Sequence, residues 1–380
     1  MNFDYNEEQQ LLADSVRRFV AKDYDFEARK RVVASESGAS DAVWRTFAEM
    51  GLLGLPFSTD DGGFGGGAVD LLGVMDAFGQ ALVVEPYLAT IGLGAQLVAR
   101  AGTRAQKKAI LPAVIEGRLK LALAHGEPDA RYDLARVATT ATKTDGGWRL
   151  AGQKCVVLGA PHADTLVVSA RTSGAPDKPK GVSLFLVERG APGLRLESYR
   201  TLDEMRAADV VLEGVEVAAG ALLGRRGAAL ELVEDVVDFA TALVCAEAVG
   251  AMQSANDATL EYLKTRKQFG VPIGAFQALQ HRMVDMVVAT EQARSMAFLA
   301  CAKVDGEKDR DERRRLVSAA KVKIADACRH VSQEAVQLHG GMGMTEELKV
   351  SHTFRRLTII AQQFGDAEHH LERFASLARG

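Results

Sequence analysis

The chain has 380 residues, of which 47% are hydrophobic and 25% are charged, and its formal net charge is -4. This composition is typical of a soluble globular protein, and at roughly 150 residues per domain the length suggests two or three domains. The small negative charge gives no reason to expect a nucleic-acid-binding protein, and no apolar run approaches the roughly 18 residues that span a bilayer.

The N-terminal segment MNFDYNEEQQLLADSV is acidic and amphipathic, unlike a secretory signal peptide. The four cysteines, at positions 155, 245, 301 and 328, lie far apart. Because none of them forms a CxxC pair, neither a structural zinc site nor a disulfide framework is expected. We therefore expect a protein of a reducing, cytoplasmic compartment that has no metal site.

Residues 1–120 are predicted to form helices, because apolar residues recur there at helical spacing. Asp41 is the expected N-cap of one helix, and Thr103 is the expected N-cap of another, which should end at Gly117. The segment STDDGGFGGG, residues 58–67, contains five glycines. No strand precedes it and no GK[ST] follows it, so a turn between helices is favoured over a phosphate-binding loop.

Residues 121–221 contain short β-rich runs such as TLVVSAR and GVSLFLVE, which predict a small β-barrel or sandwich. From residue 222 helical periodicity returns in long stretches, and long helices with short connections indicate an antiparallel bundle. The charged run DGEKDRDERRR, residues 305–315, is interpreted as a solvated loop between two of these helices. The predicted domains are therefore helical (1–120), β (121–221) and a helical bundle (222–380).

Two glycine-bearing stretches, KTRKQFG (264–270) and QLHGGMGMTEE (337–347), end long predicted helices. A glycine at a helix end is ordinarily a C-cap, but three glycines in the second stretch exceed what a cap needs. Glycines close to a cation and to amide side chains allow the near approach of a phosphate-bearing ligand or a nucleotide. We expect the ligand site at these two stretches.

The chain resembles the acyl-CoA dehydrogenase family over essentially its whole length. The resemblance rests on the helix–β–helix order together with the segments RKQFG, QLHGGMGM and EEQQLLADSVRRF. The resemblance implies a mainly α fold with a central β domain: an N-terminal helical domain, a β-barrel and a C-terminal four-helix bundle, usually in a tetramer. It implies the α,β-dehydrogenation of an acyl-CoA thioester with FAD as the cofactor. An electron-transfer flavoprotein is the implied electron acceptor. In this reaction a carboxylate removes the α-proton while the flavin takes a hydride from the β-carbon.

In the family, the RxxFG and QxxGG motifs contact the adenosine and pyrophosphate half of a flavin that a neighbouring subunit mainly holds. The matching residues are all intact here: Arg266, Phe269, Gln337, Gly340 and Gly341. Gln277 also fits a polar position near the adenosine. The resemblance therefore implies that these six residues bind FAD.

The half of the family site that surrounds the isoalloxazine ring is changed in this sequence. Gly126 replaces a threonine, and Val156 and Leu158 replace a tryptophan and a second threonine on the flavin face. Tyr132 replaces a serine near the pantetheine, and Thr241 replaces an arginine near the thioester. A lost hydroxyl removes a hydrogen-bond donor and a lost indole removes a stacking surface, so this half should bind flavin poorly.

The general base of the family is also missing from its usual positions. Gly365 stands where most members carry the catalytic glutamate of the final loop. Ala240 stands where a minority carry it, on the first helix of the bundle. The sequence therefore suggests a loop that has lost its catalytic group.

Two other carboxylates are candidates for the base. Asp366 lies one residue after the usual position, and Glu247 lies two turns beyond the alternative position on the first bundle helix. A paired, structural carboxylate is the other interpretation of Glu247. The adjacent His369 and His370 are expected at the surface of the last helix.

Some bacterial acyl-CoA dehydrogenases are heteromeric, and this chain resembles the smaller subunit of such pairs, including those for pimeloyl-CoA and steroid side chains. The first hypothesis is a subunit that supports the flavin of a second acyl-CoA dehydrogenase chain in a heterotetramer acting on an acyl-CoA. The second is a homotetramer that uses Asp366 or Glu247 as the base. The third is a non-catalytic scaffold, which the intact RxxFG and QxxGG motifs disfavour. The sequence does not identify the acyl group.

Overall fold

The computed structural model describes residues 5–377. The longer helices are α1 (Glu7–Asp23), α2 (Phe26–Ala34), α3 (Asp41–Glu49), α4 (Ala68–Ala81), α5 (Ala95–Ala101), α6 (Arg104–Ile115), α7 (Leu230–Thr265), α8 (Gln277–Gly306), α9 (Arg310–His339), α10 (Lys349–Gln362) and α11 (Ala367–Leu377). The strands are β1 (Leu121–Ala124), β2 (Thr140–Lys143), β3 (Gly147–Leu158), β4 (Thr165–Arg171), β5 (Val182–Glu188), β6 (Leu194–Arg200), β7 (Arg206–Ala218), β8 (Leu222–Leu223), β9 (Lys267–Gln268) and β10 (Val271–Pro272). The chain is therefore mainly α with a central β region, as predicted.

The chain forms two compact units, and the first is helical. It lies within Met1–Arg31, Gly67–Val83 and Thr241–Gly380. Two glycines let α4 and α7 cross with their backbones in contact. A Cβ on Gly79 would lie 1.9 Å from one backbone oxygen of α7, and a Cβ on Gly250 would lie 1.8 Å from one of α4. Only glycine permits so close an approach.

The charged run 305–315 is exposed or half-buried between two helices, as predicted, but only residues 307–309 form a loop and the others belong to helix ends. Helix α8 continues to Gly306, and the side chain of Asp309 caps α9 by accepting hydrogen bonds from two of its first backbone amides. The carboxylate of Asp305 accepts hydrogen bonds from the first two backbone amides of α4, at 2.8 and 2.9 Å. Carboxylates are stabilising at helix N-termini, which explains the positions of Asp305 and Asp309 in this run.

The second unit lies within Val32–Gly66 and Val84–Ala240 and contains a sheet of eight strands. The strands follow the order β6-β7-β3-β2-β4-β5-β8, and β1 pairs with β4. The rings of Trp148 and Phe185 lie 5.5 Å apart in its buried core. The long antiparallel pair of β3 and β7 is interrupted by bulges, one of them between Lys154 and Val157.

Two N-cap predictions have different outcomes. Thr103 caps α6 and exchanges hydrogen bonds with Gln106, as predicted. Helix α3 is capped by Ser40 instead of Asp41, which lies in its first turn. Both residue types make good caps, so the sequence alone does not choose between neighbours. The glycine-rich segment 58–67 forms a short 3-10 helix and turns, which agrees with the predicted turn between helices.

Among the described residues, none of the helices is long and apolar enough to cross a membrane. The predicted domain limits of 1–120, 121–221 and 222–380 stay a prediction. Residues 1–4 and 378–380 of the two outer predicted domains lie outside the described part of the chain.

Candidate functional site

One groove in the helical unit joins the two glycine-bearing stretches. Its volume is about 560 Å³, and it is lined by the end of α7, the start of α8 and the end of α9. Four of the six predicted cofactor-binding residues line it: Arg266, Gln337, Gly340 and Gly341. Phe269 and Gln277 are exposed and do not belong to the lining. Residues that are about 70 positions apart in sequence thus share one concave surface.

The RKQFG motif forms a two-residue β-hairpin that follows α7. Strands β9 and β10 pair around Phe269 and Gly270, whose φ angles are 53° and 83°. A hairpin of this length requires positive φ at both central residues, which explains the glycine and strains the phenylalanine. The turn leaves Phe269 91% exposed, with its ring 6.1 Å from that of Phe276. The motif therefore presents a large apolar side chain to the exterior of this unit.

The QLHGG motif ends α9 and opens the floor of the groove. Gly340 has φ 60° and ψ -145°, a conformation available almost only to glycine. A Cβ on Gly340 or on Gly341 would meet no described atom within 4 Å. Gly343 is different, because a Cβ there would lie 2.7 Å from the backbone oxygen of Val336. The first two glycines thus leave room for a ligand, and the third is required by packing.

The two arginines of the groove differ in whether an acidic residue compensates their charge. The Nε atom of Arg282 donates to Oε2 of Glu334 at 2.5 Å, so this cation is compensated. Arg266 is exposed and forms no ion pair with a described residue. The groove therefore offers one uncompensated guanidinium, which suits an anion such as a phosphate.

Two stacked rings line the same groove. The rings of Tyr262 and His339 lie 4.5 Å apart at 28°. Nδ1 of His339 donates to the backbone oxygen of Ala335 at 2.8 Å, and burial lowers the pKa of His339. The histidine is therefore neutral near pH 7 and adds no second charge to the groove.

Glu247, a candidate base, is buried in an ion pair with Arg356. Nε of Arg356 donates to Oε1 of Glu247 at 2.6 Å, and Nη2 donates to Oε2 at 2.8 Å. Both carboxylate oxygens are thus engaged by one guanidinium. Sequence reasoning named Glu247 but did not find Arg356, which lies on α10, more than 100 residues away.

Asp366, the other candidate base, is the N-cap of α11. Its Oδ1 atom accepts a hydrogen bond from the backbone amide of His369 at 2.9 Å. This is the usual role of an aspartate immediately before a helix. Both candidate carboxylates therefore have structural partners.

The expectation that His370 lies at the surface is wrong. The residue is 1% exposed, and burial together with the charges of Lys321 and Arg373 lowers its pKa to about 2. Lys321, on α9, is also fully buried and was not found by sequence reasoning. Helix α11 packs the face that carries His370 against α9. The polar residues next to His370 in the sequence therefore did not indicate that it is exposed.

The positions that the resemblance assigns to the isoalloxazine half lie mainly in the β unit. Val156 lies on the bulge of β3 with φ 50° and 55% exposure, and its backbone amide donates to Oδ1 of Asp209 at 3.0 Å. The backbone amide of Cys155 donates to the oxygen of Gly126 at 2.8 Å. The backbone of this region is therefore well ordered by hydrogen bonds, while Val156 and Gly126 offer neither an indole nor a hydroxyl.

A buried ion pair supports the same region. Nζ of Lys154 donates to Oε1 of Glu127 at 2.7 Å and to Oγ of Ser169 at 2.9 Å. Burial lowers the pKa of Lys154 to about 8. The second carboxylate oxygen of Glu127 accepts the backbone amide of Ala138. Glu127 is thus fully engaged and is not an available base.

Three models of acyl-CoA dehydrogenase domains match the chain in order. The N-terminal domain matches residues 6–118, the middle domain 122–215 and the C-terminal domain 230–378. The acyl-CoA dehydrogenase FadE12 of Mycobacterium tuberculosis is 31% identical over 374 residues, which cover 95% of this chain and 93% of FadE12. The similarity therefore extends over nearly the whole length of both proteins.

Solved structures give the same result. A chain of the ChsE4–ChsE5 complex from Mycobacterium tuberculosis matches with a TM-score of 0.89 and 26% identity, over 100% of this chain and 99% of that one. The FAD complex of PigA matches with a TM-score of 0.90 and 28% identity over 100% of both chains. The acyl-CoA dehydrogenase fold predicted from the sequence is confirmed. Members of this family are FAD-dependent oxidoreductases.

Proposed function

Because the chain belongs to the acyl-CoA dehydrogenase family, we propose that it is one subunit of a flavin-dependent enzyme that oxidises an acyl-CoA thioester between its α- and β-carbons. Its part is to hold the adenosine and pyrophosphate half of an FAD whose ring lies in a second acyl-CoA dehydrogenase chain. The main observation in support is the groove, in which the uncompensated Arg266 lies beside Gly340 and Gly341, two glycines with free space around their Cα atoms.

The residues of the groove fit this half of FAD. Arg266 supplies a positive charge at any ordinary pH for the pyrophosphate. Because Gly340 and Gly341 have no side chains, a ligand has space to reach the backbone there. Gln337 supplies an amide that both donates and accepts. Phe269 and Gln277 belong to the same proposed site as outer contacts, since the hairpin and the start of α8 flank the groove.

The proposed second chain supplies what this chain lacks. FAD accepts the hydride when bound, but the α-proton must go to a carboxylate that is free to take it. Gly365 and Ala240 have no acidic group, Glu247 is held by Arg356, and Asp366 caps α11. We therefore propose a heteromeric enzyme whose catalytic glutamate lies in the partner, with an electron-transfer flavoprotein as the electron acceptor.

The same contacts weigh against the other two hypotheses. A homotetramer would have to recruit Glu247 out of a buried bidentate pair or Asp366 out of a helix cap, and each change has a cost in stability. A pure scaffold would have no use for an open groove with an uncompensated guanidinium. The similarity to a chain of the ChsE4–ChsE5 complex supports the heteromeric proposal.

Titration of FAD against the assembled complex tests the role of Arg266. Arg266→Ala should weaken FAD binding roughly tenfold to a hundredfold, because a charge-assisted contact contributes about 1.5–3 kcal/mol. The matched control is Lys267→Ala, which removes a neighbouring exposed cation that does not line the groove. Equal FAD affinities for the wild type and Arg266→Ala would remove the groove from the flavin site.

A further inference from the structure

The turn between α10 and α11 leaves no space for a side chain at Gly365. Phe364 and Gly365 have φ angles of 62° and 123°, both in the left-handed region. Gly365 is buried, and a Cβ on it would lie 2.5 Å from Cδ2 of His369 and 2.7 Å from Nε2 of His370. Real Cβ atoms do not approach other heavy atoms this closely, so a ring would have to move.

His370 is held in place on both sides of its ring. Nε2 lies 3.1 Å from the backbone oxygen of Phe364 and donates to it, since a carbonyl only accepts. Nδ1 of the neutral ring then accepts from Oγ of Ser318 at 3.3 Å. The ring of His369 lies edge-on to it, with the ring centres 5.2 Å apart. Moving His370 would break both hydrogen bonds of its buried ring.

Lys321 fixes the turn from the direction of α9. Its Nζ atom donates to the oxygen of Gly365 at 2.7 Å and to that of Ala361, near the end of α10, at 3.2 Å. The carbonyl of Gly365 is thus anchored to the buried amino group of Lys321 while its Cα faces the two histidines. The backbone of the turn cannot retreat from the rings without losing this buried hydrogen bond.

We propose that the His369–His370 pair, with Lys321, holds this turn in a conformation that excludes any side chain at position 365. Under the proposed function, this position is the one where most family members carry the catalytic glutamate. A glutamate restored there by a single substitution would therefore have no place for its side chain. The chain therefore depends on a partner's base for two reasons: position 365 has no carboxylate, and the packing around it leaves no room for one.

A double-mutant cycle on the chain measures the exclusion directly. Gly365→Ala is made in the wild type and in a His369→Ala/His370→Ala background, and the apparent melting temperature is compared with that of each parent. In the wild type the change should lower it by about 5 °C or more, because overpacking adds to the backbone strain. In the double-alanine background the drop should be at most about half as large.

The control is Gly65→Ala, since Gly65 has φ 74° and a Cβ there would meet no described atom within 4 Å. Its smaller drop gives the cost of a positive φ where no atom is in the way, and the comparison of the two backgrounds cancels the backbone cost at position 365 itself. Gly365→Ala folding only in the double-alanine background would also support the proposal, and Gly365→Glu should follow the same pattern. Equal drops in both backgrounds, failure to fold in both, or a Gly65→Ala drop as large as that of Gly365→Ala would overturn it. Flavin plays no part in this test, so its failure leaves the proposed function standing.

Discussion

Glu247 and Arg356 form a buried bidentate ion pair, with Nε–Oε1 and Nη2–Oε2 distances of 2.6 and 2.8 Å. A carboxylate that accepts two hydrogen bonds from one guanidinium is poorly suited to remove a proton, because protonation would break the pair. The pair joins α7 to α10. Its residue on α10, Arg356, is close in sequence to the turn that follows this helix. The role of the pair in this chain is to hold these helices together.

The first prediction concerns this pair. Glu247→Ala should lower the free energy of unfolding by about 3–5 kcal/mol, because it removes the carboxylate from a buried bidentate ion pair. Replacing both residues with methionine should cost much less, because no charge remains. Denaturant unfolding of the three chains measures both effects. A loss of turnover in the folded complex with Glu247→Gln, at a denaturant concentration of zero, would instead identify Glu247 as the base.

The second prediction concerns Asp366. Asp366→Asn keeps a side-chain acceptor at the N-cap and should change stability little, whereas Asp366→Ala should cost about 1 kcal/mol. Both variants should keep the turnover of the complex within a few-fold of the wild type. A loss of about a thousandfold in rate with Asp366→Asn, which is about 4 kcal/mol in barrier, would identify the residue as the base.

The third prediction concerns pH. Burial and the nearby Lys321, Arg373 and His369 lower the pKa of His370 to about 2, so the folded chain keeps this ring neutral where the unfolded chain protonates it. The stability that depends on the neutral ring is present above the unfolded pKa of about 6.5, and it is lost as the pH falls below that value by about 1.4 kcal/mol per pH unit.

His370→Asn should therefore flatten the decline in stability between about pH 6.5 and 5, relative to the wild type. The control is His330→Asn, which changes an exposed histidine of α9 and should leave the slope as it is. Denaturant unfolding at several pH values gives the slopes. Parallel slopes for the wild type and His370→Asn would show that the ring is not kept neutral by its surroundings.

The sequence predicted the fold where local signals were strong. The long helices of the bundle, the β region and the cap at Thr103 all follow from periodicity and capping chemistry. The order of these elements together with two short motifs indicated the family. The motifs also indicated which residues share a groove, although spacing alone did not show that RKQFG closes a two-residue hairpin.

The sequence did not predict contacts between distant segments. Nothing near Glu247 indicates that Arg356 neutralises it, and nothing near Lys321 indicates that it anchors the carbonyl of Gly365. His370 looked like a surface residue because polar residues surround it in sequence, yet tertiary packing buries it. Such partners are set by how α7, α9, α10 and α11 pack, which no local pattern encodes.

The flavin content of the purified chain tests the central claim most directly. Expressed alone, the chain should fold but be largely colourless and inactive towards acyl-CoA, because Gly126 and Val156 leave the isoalloxazine half without a hydroxyl donor or a stacking indole. Expressed with a partner chain that carries the catalytic glutamate, it should give a yellow complex with about two flavins per four chains. A lone chain that purifies with about one FAD per protomer and oxidises an acyl-CoA at about 1 per second or faster would contradict the account.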